Sequence, residues 1–121
     1  NKTLTRLNLK NNSVCDEGVE ALAEALKEND TLIKLNLKNN YIEDEGAKLL
    51  AEALKENNTL NELDLDDNDI GDEGAKYLAF ALLLNKTLIE LNLGSNIISD
   101  KYIEILKDLP RVKSGQLTLD I

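Results

Sequence analysis

The chain has 121 residues, a formal net charge of −9 and 42% hydrophobic residues, a composition that fits one globular domain. The acidic balance argues against nucleic acid or an anionic membrane surface as the main partner. No apolar run approaches membrane-spanning length, so no membrane insertion is predicted.

Cysteine and histidine usage restricts the chemistry further. The chain has no histidine, and its single cysteine, Cys15, cannot form an internal disulfide, which suits a reducing, cytoplasmic compartment. No nucleophile with a base, phosphate-binding glycine loop or soft metal site is recognisable in the sequence. We therefore predict that the protein is not an enzyme, with no catalytic residues, no cofactor and no bound metal.

The dominant pattern is a repeat with a period of 28 residues. It is marked by the asparagines Asn12, Asn40, Asn68 and Asn96 and by a Leu-x-Leu pair that precedes each of them. A fixed period of this length indicates stacked units that bury their apolar faces against each other. We predict one domain over residues 1–121, with repeats that start near 1, 29, 57 and 85 and a terminal strand at 117–121. Because the chain opens directly on a repeat, we interpret it as a fragment of a longer protein.

Each repeat reads as a short strand, a turn and a helix. Leu7 and Leu9 alternate with polar residues, as a half-buried strand requires. Asp16 then begins an Asp-Glu-Gly triplet, where it is predicted to cap the helix of its own repeat. The apolar stripe of that helix consists of Val19, Leu22, Ala23 and Leu26.

The pattern Leu4-x-x-Leu7-x-Leu9-x-x-Asn12, continued by Val14, Gly18, Leu22, Leu26 and Asn29, resembles the ribonuclease-inhibitor-like class of leucine-rich repeat. This class also occurs in NOD-like receptors and in the Ran GTPase-activating protein. The resemblance implies an α/β solenoid, a horseshoe segment with a parallel sheet on the concave face and helices on the convex face. It also implies that the four repeated asparagines form a ladder that satisfies backbone groups at the inner turn.

The strand positions that face away from the helices vary between repeats, and we predict that they bind a protein partner. They are basic in the first two repeats and acidic in the third, so the face is expected to run from positive to negative and to orient a complementary partner. An equally weighted alternative is that these charges are merely solvated. The candidate residues are Arg6, Lys10, Lys34, Lys38, Glu62, Asp64, Asp66, Glu90 and Asn92.

The turn after each strand supplies a second set of candidates, the rim residues Tyr41, Asp67, Asp69 and Ile97. The acidic run that starts at Asp64 invites comparison with a calcium-binding EF-hand loop. That alignment places Asp69 where glycine is required and Ala75 where a bidentate glutamate is required, so specific calcium binding is disfavoured.

The third helix breaks the repeat pattern at outward positions that are charged in the first two. Phe80, Leu83 and Leu84 occupy these positions. Two explanations are open: a docking or dimer surface, or an internal contact in which the irregular segment 109–115 covers Phe80 and Leu84. We favour the second, because terminal repeats are usually atypical. The fourth helix is expected to end before Pro110.

These features predict a protein–protein interaction module that uses the concave face and the adjoining turns. The alternatives are a regulator of a small GTPase, implied by the resemblance to the Ran GTPase-activating protein, and a structural spacer within a larger receptor or effector. The uncapped first repeat and the terminal strand also favour a homodimer through the exposed repeat ends.

Overall fold

The computed structural model describes residues 1–121 and shows a strand and a helix for each repeat. The strands are β1 (Arg6–Asn8), β2 (Lys34–Asn36), β3 (Glu62–Asp64), β4 (Glu90–Asn92) and β5 (Thr118–Asp120). The helices are α1 (Cys15–Glu28), α2 (Asp44–Glu56), α3 (Asp72–Leu84), α4 (Asp100–Lys107) and α5 (Pro110–Lys113).

The five strands form one parallel sheet in chain order, β1-β2-β3-β4-β5. Equivalent leucines lie side by side, so that Leu7 pairs with Leu35 and Leu91 pairs with Leu119. Parallel strands need a crossover, which the helices α1 to α4 supply between successive strands. The predicted α/β solenoid and its terminal strand are confirmed, and β1 and β5 are the edges of the sheet.

The core lies between the sheet and the helices. Leu35, Leu63 and Leu91 of the strands are buried, as are Leu50 and Leu78 of the helices. Full burial of a leucine side chain contributes about 1.5–3 kcal/mol, so repetition of the same leucine positions supplies most of the driving force. The stack therefore gains its stability from contacts between neighbouring repeats.

The predicted asparagine ladder lies just after the strands, where the chain leaves the sheet. The Asn40 side-chain oxygen accepts hydrogen bonds from the Asn12 and Val14 amides, each at 3.0 Å, and its Nδ2 donates to the Leu9 carbonyl at 2.9 Å. Asn68 repeats the arrangement one unit further, and both side chains are buried. Because unpaired backbone groups are costly to bury, these asparagines are part of the scaffold.

A second asparagine ladder, which the sequence analysis missed, lies where each helix ends. Asn57 and Asn85 are buried. The Asn57 Nδ2 donates to the carbonyls of Leu26 and Asn29, at 2.8 and 3.1 Å, and its oxygen accepts the Leu60 amide at 2.8 Å. The Asn-x-Thr-Leu junction that recurs at residues 29–32, 57–60 and 85–88 is thus explained by the fold.

Arg111 takes over from this ladder at the last repeat. Its Nη1 donates to the Asn85 carbonyl at 3.0 Å and its Nη2 to the Leu88 carbonyl at 2.8 Å. One side chain therefore satisfies the Asn85 carbonyl, which is the kind of acceptor that a ladder asparagine serves in earlier repeats, and in addition the Leu88 carbonyl.

The aspartates of the Asp-Glu-Gly triplets act between repeats, so the prediction that Asp16 caps its own helix is wrong. The Asp16 Oδ1 accepts the amide of Glu43 in the next repeat at 2.9 Å. Likewise, the Asp44 Oδ1 accepts the Gly71 and Gly74 amides at 2.7 and 3.0 Å, which caps the start of α3. Helix α1 itself begins at Cys15 without a side-chain cap.

At the C-terminal end, α4 stops at Lys107, before Pro110, as predicted. The segment that follows is not irregular throughout, because Pro110 opens the short helix α5. Leu109 and Leu117 are buried on either side of α5 and close the core. No helix of the chain is both long and apolar enough to cross a membrane.

Candidate functional site: the concave groove

The outward side chains of the strands line a shallow groove of about 300 Å³ on the concave side of the sheet. Its walls come from all of β1 to β4, since the register places equivalent residues side by side. The groove brings together Arg6, Asn8, Lys34, Asn36, Glu62, Asp64, Glu90 and Asn92. Lys10, Lys38 and Asp66 follow the strands and do not line it.

One residue of each strand combines a structural and an exposed role. The side-chain oxygens of Asn8, Asn36, Asp64 and Asn92 each accept the backbone amide two residues further on, at 2.9–3.0 Å. This bond fixes the side chain and identifies which amide atom is oxygen. The Nδ2 groups of the three asparagines make no hydrogen bond within the chain, so they are available donors along the groove.

Two ion pairs interrupt the charge gradient predicted along the groove. Register pairs Lys34 with Glu62, and their side chains form an ion pair, as do those of Lys38 and Asp66. The hydrogen bond from Lys38 to Asp66, reinforced by the Asp66 charge, raises the pKa of the Lys38 amine above its ordinary value of 10.5. The change from basic to acidic between the second and third repeats is thus accompanied by cross-strand pairing, which neutralises the middle of the face that was predicted to run from positive to negative.

Unpaired charge is left at the two ends of the groove. Arg6 and Lys10 are exposed at the β1 end and take part in none of the ion pairs of the chain. Asp64 and Glu90, on β3 and β4, likewise form no ion pair, although the Asp64 charge helps to raise the Lys38 pKa. The free charges of the groove are therefore positive at one end and negative at the other, with a neutralised stretch between them.

The rim residues are exposed, as expected for a contact surface. Tyr41 is 60% and Ile97 70% exposed, and Asp67 and Asp69 also face solvent. Tyr41 and Asp67 hold left-handed backbone conformations, with φ of 58° and 57°. Asn11, Asn39 and Ser95 share the left-handed conformation of Asp67, and Ser13 shares that of Tyr41, so the conformation belongs to the repeated turn. No group of three or more His, Cys, Asp or Glu side chains on this rim or elsewhere is arranged to hold a metal ion.

The outward residues of α3 are not covered, so the internal contact predicted for them is wrong. Phe80 is 59%, Leu83 47% and Leu84 57% exposed. The start of α5, at Pro110, lies beside Leu82 and Leu83 at the end of α3 and leaves Phe80 and Leu84 exposed. We call Phe80, Leu83 and Leu84 the α3 patch.

The fold and the groove define a repeat solenoid of the leucine-rich class. The sequence profile of the family described as Leucine Rich repeat matches residues 1–23, 28–51, 56–79 and 84–101. The chain therefore belongs to the leucine-rich repeat family. No curated protein sequence gives a significant match.

Solved structures with the same architecture cover the whole chain. One, described as leiomodin-1 actin-binding site 2, is 29% identical with a TM-score of 0.90, and the match covers 99% of this chain and 71% of that one. Another is the tropomodulin C-terminal domain of Caenorhabditis elegans, 20% identical with a TM-score of 0.86, covering 100% of this chain and 75% of that one. At this lower identity, the tropomodulin structure shows likeness of fold alone.

Proposed function

We propose that this chain is a protein-recognition module that binds a partner protein in the concave groove. The proposal rests on amide donors of the groove that form no hydrogen bond within the chain and on charged side chains that form no ion pair. They comprise the Nδ2 donors of Asn8, Asn36 and Asn92, the positive end at Arg6, with Lys10 just beyond the groove, and the negative end at Asp64 and Glu90. A partner with complementary charge at the two ends would be oriented along the groove.

The rim adds the apolar contact that the groove lacks. Tyr41 and Ile97 are large, exposed side chains of the turns that follow β2 and β4, and each lies beside acidic residues at the start of a helix. Binding energy at protein interfaces is concentrated in a few such residues, whereas exposed polar contacts mainly provide specificity. We therefore place the main energetic contribution at Tyr41 and Ile97, and the selection of partner orientation in the groove.

Actin is the first partner to test, because the similar leiomodin-1 domain is described as an actin-binding site. We place the module in the cytoplasm as part of the same proposal, since Cys15 is a free cysteine. A role as a regulator of a small GTPase, implied by the resemblance to the Ran GTPase-activating protein, stays a prediction, and no feature of the groove favours it over simple binding.

The experiment is a titration of fluorescently labelled chain with purified monomeric actin. The groove variant carries Arg6→Gln, Lys10→Gln, Asp64→Asn and Glu90→Gln. The Asp64→Asn change keeps the oxygen that accepts the Asp66 amide and introduces the residue found in the other repeats. We expect the wild-type chain to bind and the groove variant to lose at least about tenfold in affinity, equivalent to 1.4 kcal/mol.

Matched controls separate the two parts of the proposal. The control variant Glu20→Gln/Glu24→Gln changes exposed charges on α1, on the opposite side of the molecule, and should bind like wild type. Equal binding of the groove variant and wild type would contradict the groove as the site. Absence of any actin binding would contradict actin as the partner.

A further inference from the structure

The concave groove runs across the strands. Four successive strands line it, but only two outward positions of each strand do so. Three strand spacings give it a length of about 14 Å from β1 to β4, whereas two outward positions of one strand are about 7 Å apart. One row of lining residues has long side chains, Arg6, Lys34, Glu62 and Glu90. The parallel row has shorter ones, Asn8, Asn36, Asp64 and Asn92.

The charges on the concave side are separated by strand. The outward positions of β1, β2 and the residues just after them carry only cations, and those of β3, β4 and β5 carry only carboxylates. Two ion pairs, Lys34–Glu62 and Lys38–Asp66, join the two halves. The concave charges that take part in no ion pair are Arg6 and Lys10 on one side, and Asp64, Glu90 and Asp120 on the other.

A helix fits this groove better than an extended segment. Strand addition needs free backbone groups at the edge of a sheet, whereas the middle of the groove lies over β2 and β3, which are paired on both sides. A helix satisfies its own backbone groups, and its turn of about 5.4 Å is close to the strand spacing of about 4.8 Å. Residues i, i+4, i+7 and i+11 of a helix that crosses the strands therefore lie over β1, β2, β3 and β4 in turn.

On the basis of the proposed groove function, we propose that the partner segment is an α-helix that crosses the strands with a fixed order of charge. An acidic residue at i lies over Arg6, and basic residues at i+7 and i+11 lie over Asp64 and Glu90. Between them, the free Nδ2 of Asn36 donates to an uncharged oxygen, such as that of a glutamine at i+4. The reverse direction of the helix would bring like charges together at both ends, so the groove accepts one direction.

The test uses two synthetic helical peptides of about 15 residues, roughly four turns, with identical composition. The ordered peptide has glutamate at i, glutamine at i+4 and lysine at i+7 and i+11, with alanine elsewhere. The scrambled peptide exchanges the glutamate with the lysine at i+7. Binding is followed through the backbone amide signals of the isotopically labelled chain. We expect the ordered peptide to shift signals of β1 to β4 and to bind at least about fivefold more tightly, a preference that salt weakens.

A nitroxide spin label at the glutamate end of the ordered peptide reports the direction of the helix. We expect the label to broaden signals most strongly near Arg6 and progressively less toward Glu90. In the groove variant, which lacks the free charges at both ends, the preference for the ordered peptide and the gradient of broadening should both disappear.

The matched control is Phe80→Glu/Leu84→Glu in the α3 patch. Both side chains are exposed on the helix layer, away from the groove, so this variant should bind both peptides like wild type. A control that loses the preference would show that the peptide binds the α3 patch instead and would overturn the proposal.

The proposal is also overturned if the wild-type chain binds both peptides alike or neither, or if the label broadens the signals of both ends equally. These failures are distinct from failure of the groove function. If the chain still binds actin through the groove, the groove remains the binding site and its occupant is not a helix with this order of charge. If the groove variant also binds actin like wild type, the groove function fails as well.

Discussion

Asp44 of the second repeat caps the helix of the third: its Oδ1 accepts the Gly74 amide at 3.0 Å. The same oxygen accepts the Gly71 amide at 2.7 Å, so one carboxylate serves two backbone donors of the neighbouring repeat. The absence of a side chain at Gly74 allows this approach, since a Cβ there would lie 2.8 Å from the Asp44 Oδ1. The Asp-Glu-Gly triplet is therefore a connection between repeats.

Replacement Asp44→Ala is expected to lower the free energy of unfolding by about 1–2 kcal/mol, because the start of α3 loses its capping oxygen. The measurement is a urea titration followed by circular dichroism. Asp30→Ala is the matched control, since Asp30 is exposed and makes only a surface ion pair with Lys2. The control should change stability by less than about 0.5 kcal/mol. Equal effects of the two changes would contradict the capping role.

Gly74→Ala is expected to destabilise the chain, although alanine is the better helix former. The added Cβ would meet the Ile70 Cγ2 at 2.7 Å and the Ala47 Cβ at 2.9 Å, besides the Asp44 oxygen. Gly71→Ala is the comparison, because its Cβ would meet the Asp44 carboxylate only at 3.4 Å. We expect a thermal midpoint several degrees lower for Gly74→Ala and nearly unchanged for Gly71→Ala, on the scale of about 4 °C per kcal/mol. Stabilisation by Gly74→Ala would contradict the close contact between repeats.

The leucine spacing was enough to predict the strands and the helices, and the resemblance to the ribonuclease-inhibitor-like class implied the first asparagine ladder. The sequence could not tell whether Asp16 or Asp44 serves its own helix or the next one. Positions one period apart are equivalent in an exact repeat, so contacts within and between repeats leave the same sequence pattern. For the same reason, the change of charge from Lys34 to Glu62 did not reveal that the two side chains pair across neighbouring strands.

Arg111→Ala is expected to cost about 1–3 kcal/mol, because the carbonyls of Asn85 and Leu88 lose their donors at the end of the stack. Lys113→Ala is the control, since that exposed lysine pairs only with Asp108 on the surface. Urea titration of the two variants measures their free energies of unfolding. Hydrogen exchange should also quicken first in the fourth repeat of Arg111→Ala. A uniform increase across all repeats would contradict a local role.

The Lys38–Asp66 pair predicts a dependence of stability on alkaline pH. Because the folded state raises the Lys38 pKa above 10.5, it binds the proton more tightly than the unfolded state. The contribution of the pair is therefore fully present below that ordinary value and is lost as pH rises through the raised pKa. The difference in unfolding free energy between wild type and Lys38→Met should be constant from about pH 7 to 9 and shrink above about 10.5. A difference that grows above this pH would contradict the pairing.

Residues of the last repeat were the least predictable. The 28-residue period would place the next ladder asparagine at position 113. Arg111, which donates to the Asn85 carbonyl, lies two residues earlier, so the period did not predict its role. The exposure of Phe80 depends on where α5 packs, which local propensity does not determine. The burial of Asn57 and Asn85 could have been found from the Asn-x-Thr-Leu junction, which repeats with the same period as the first ladder.

Photo-crosslinking from the groove tests the central claim most directly. A benzophenone amino acid at Glu90, in the groove, is compared with the same group at Glu20, exposed on α1, in an extract of cells that produce the protein. We predict protein adducts from position 90. An excess of unlabelled wild-type chain should prevent their formation, whereas an excess of the unlabelled groove variant should not. A protein-binding groove would be contradicted if the adducts from position 90 were no more abundant than those from position 20. Equal competition by the wild-type chain and the groove variant would contradict it as well.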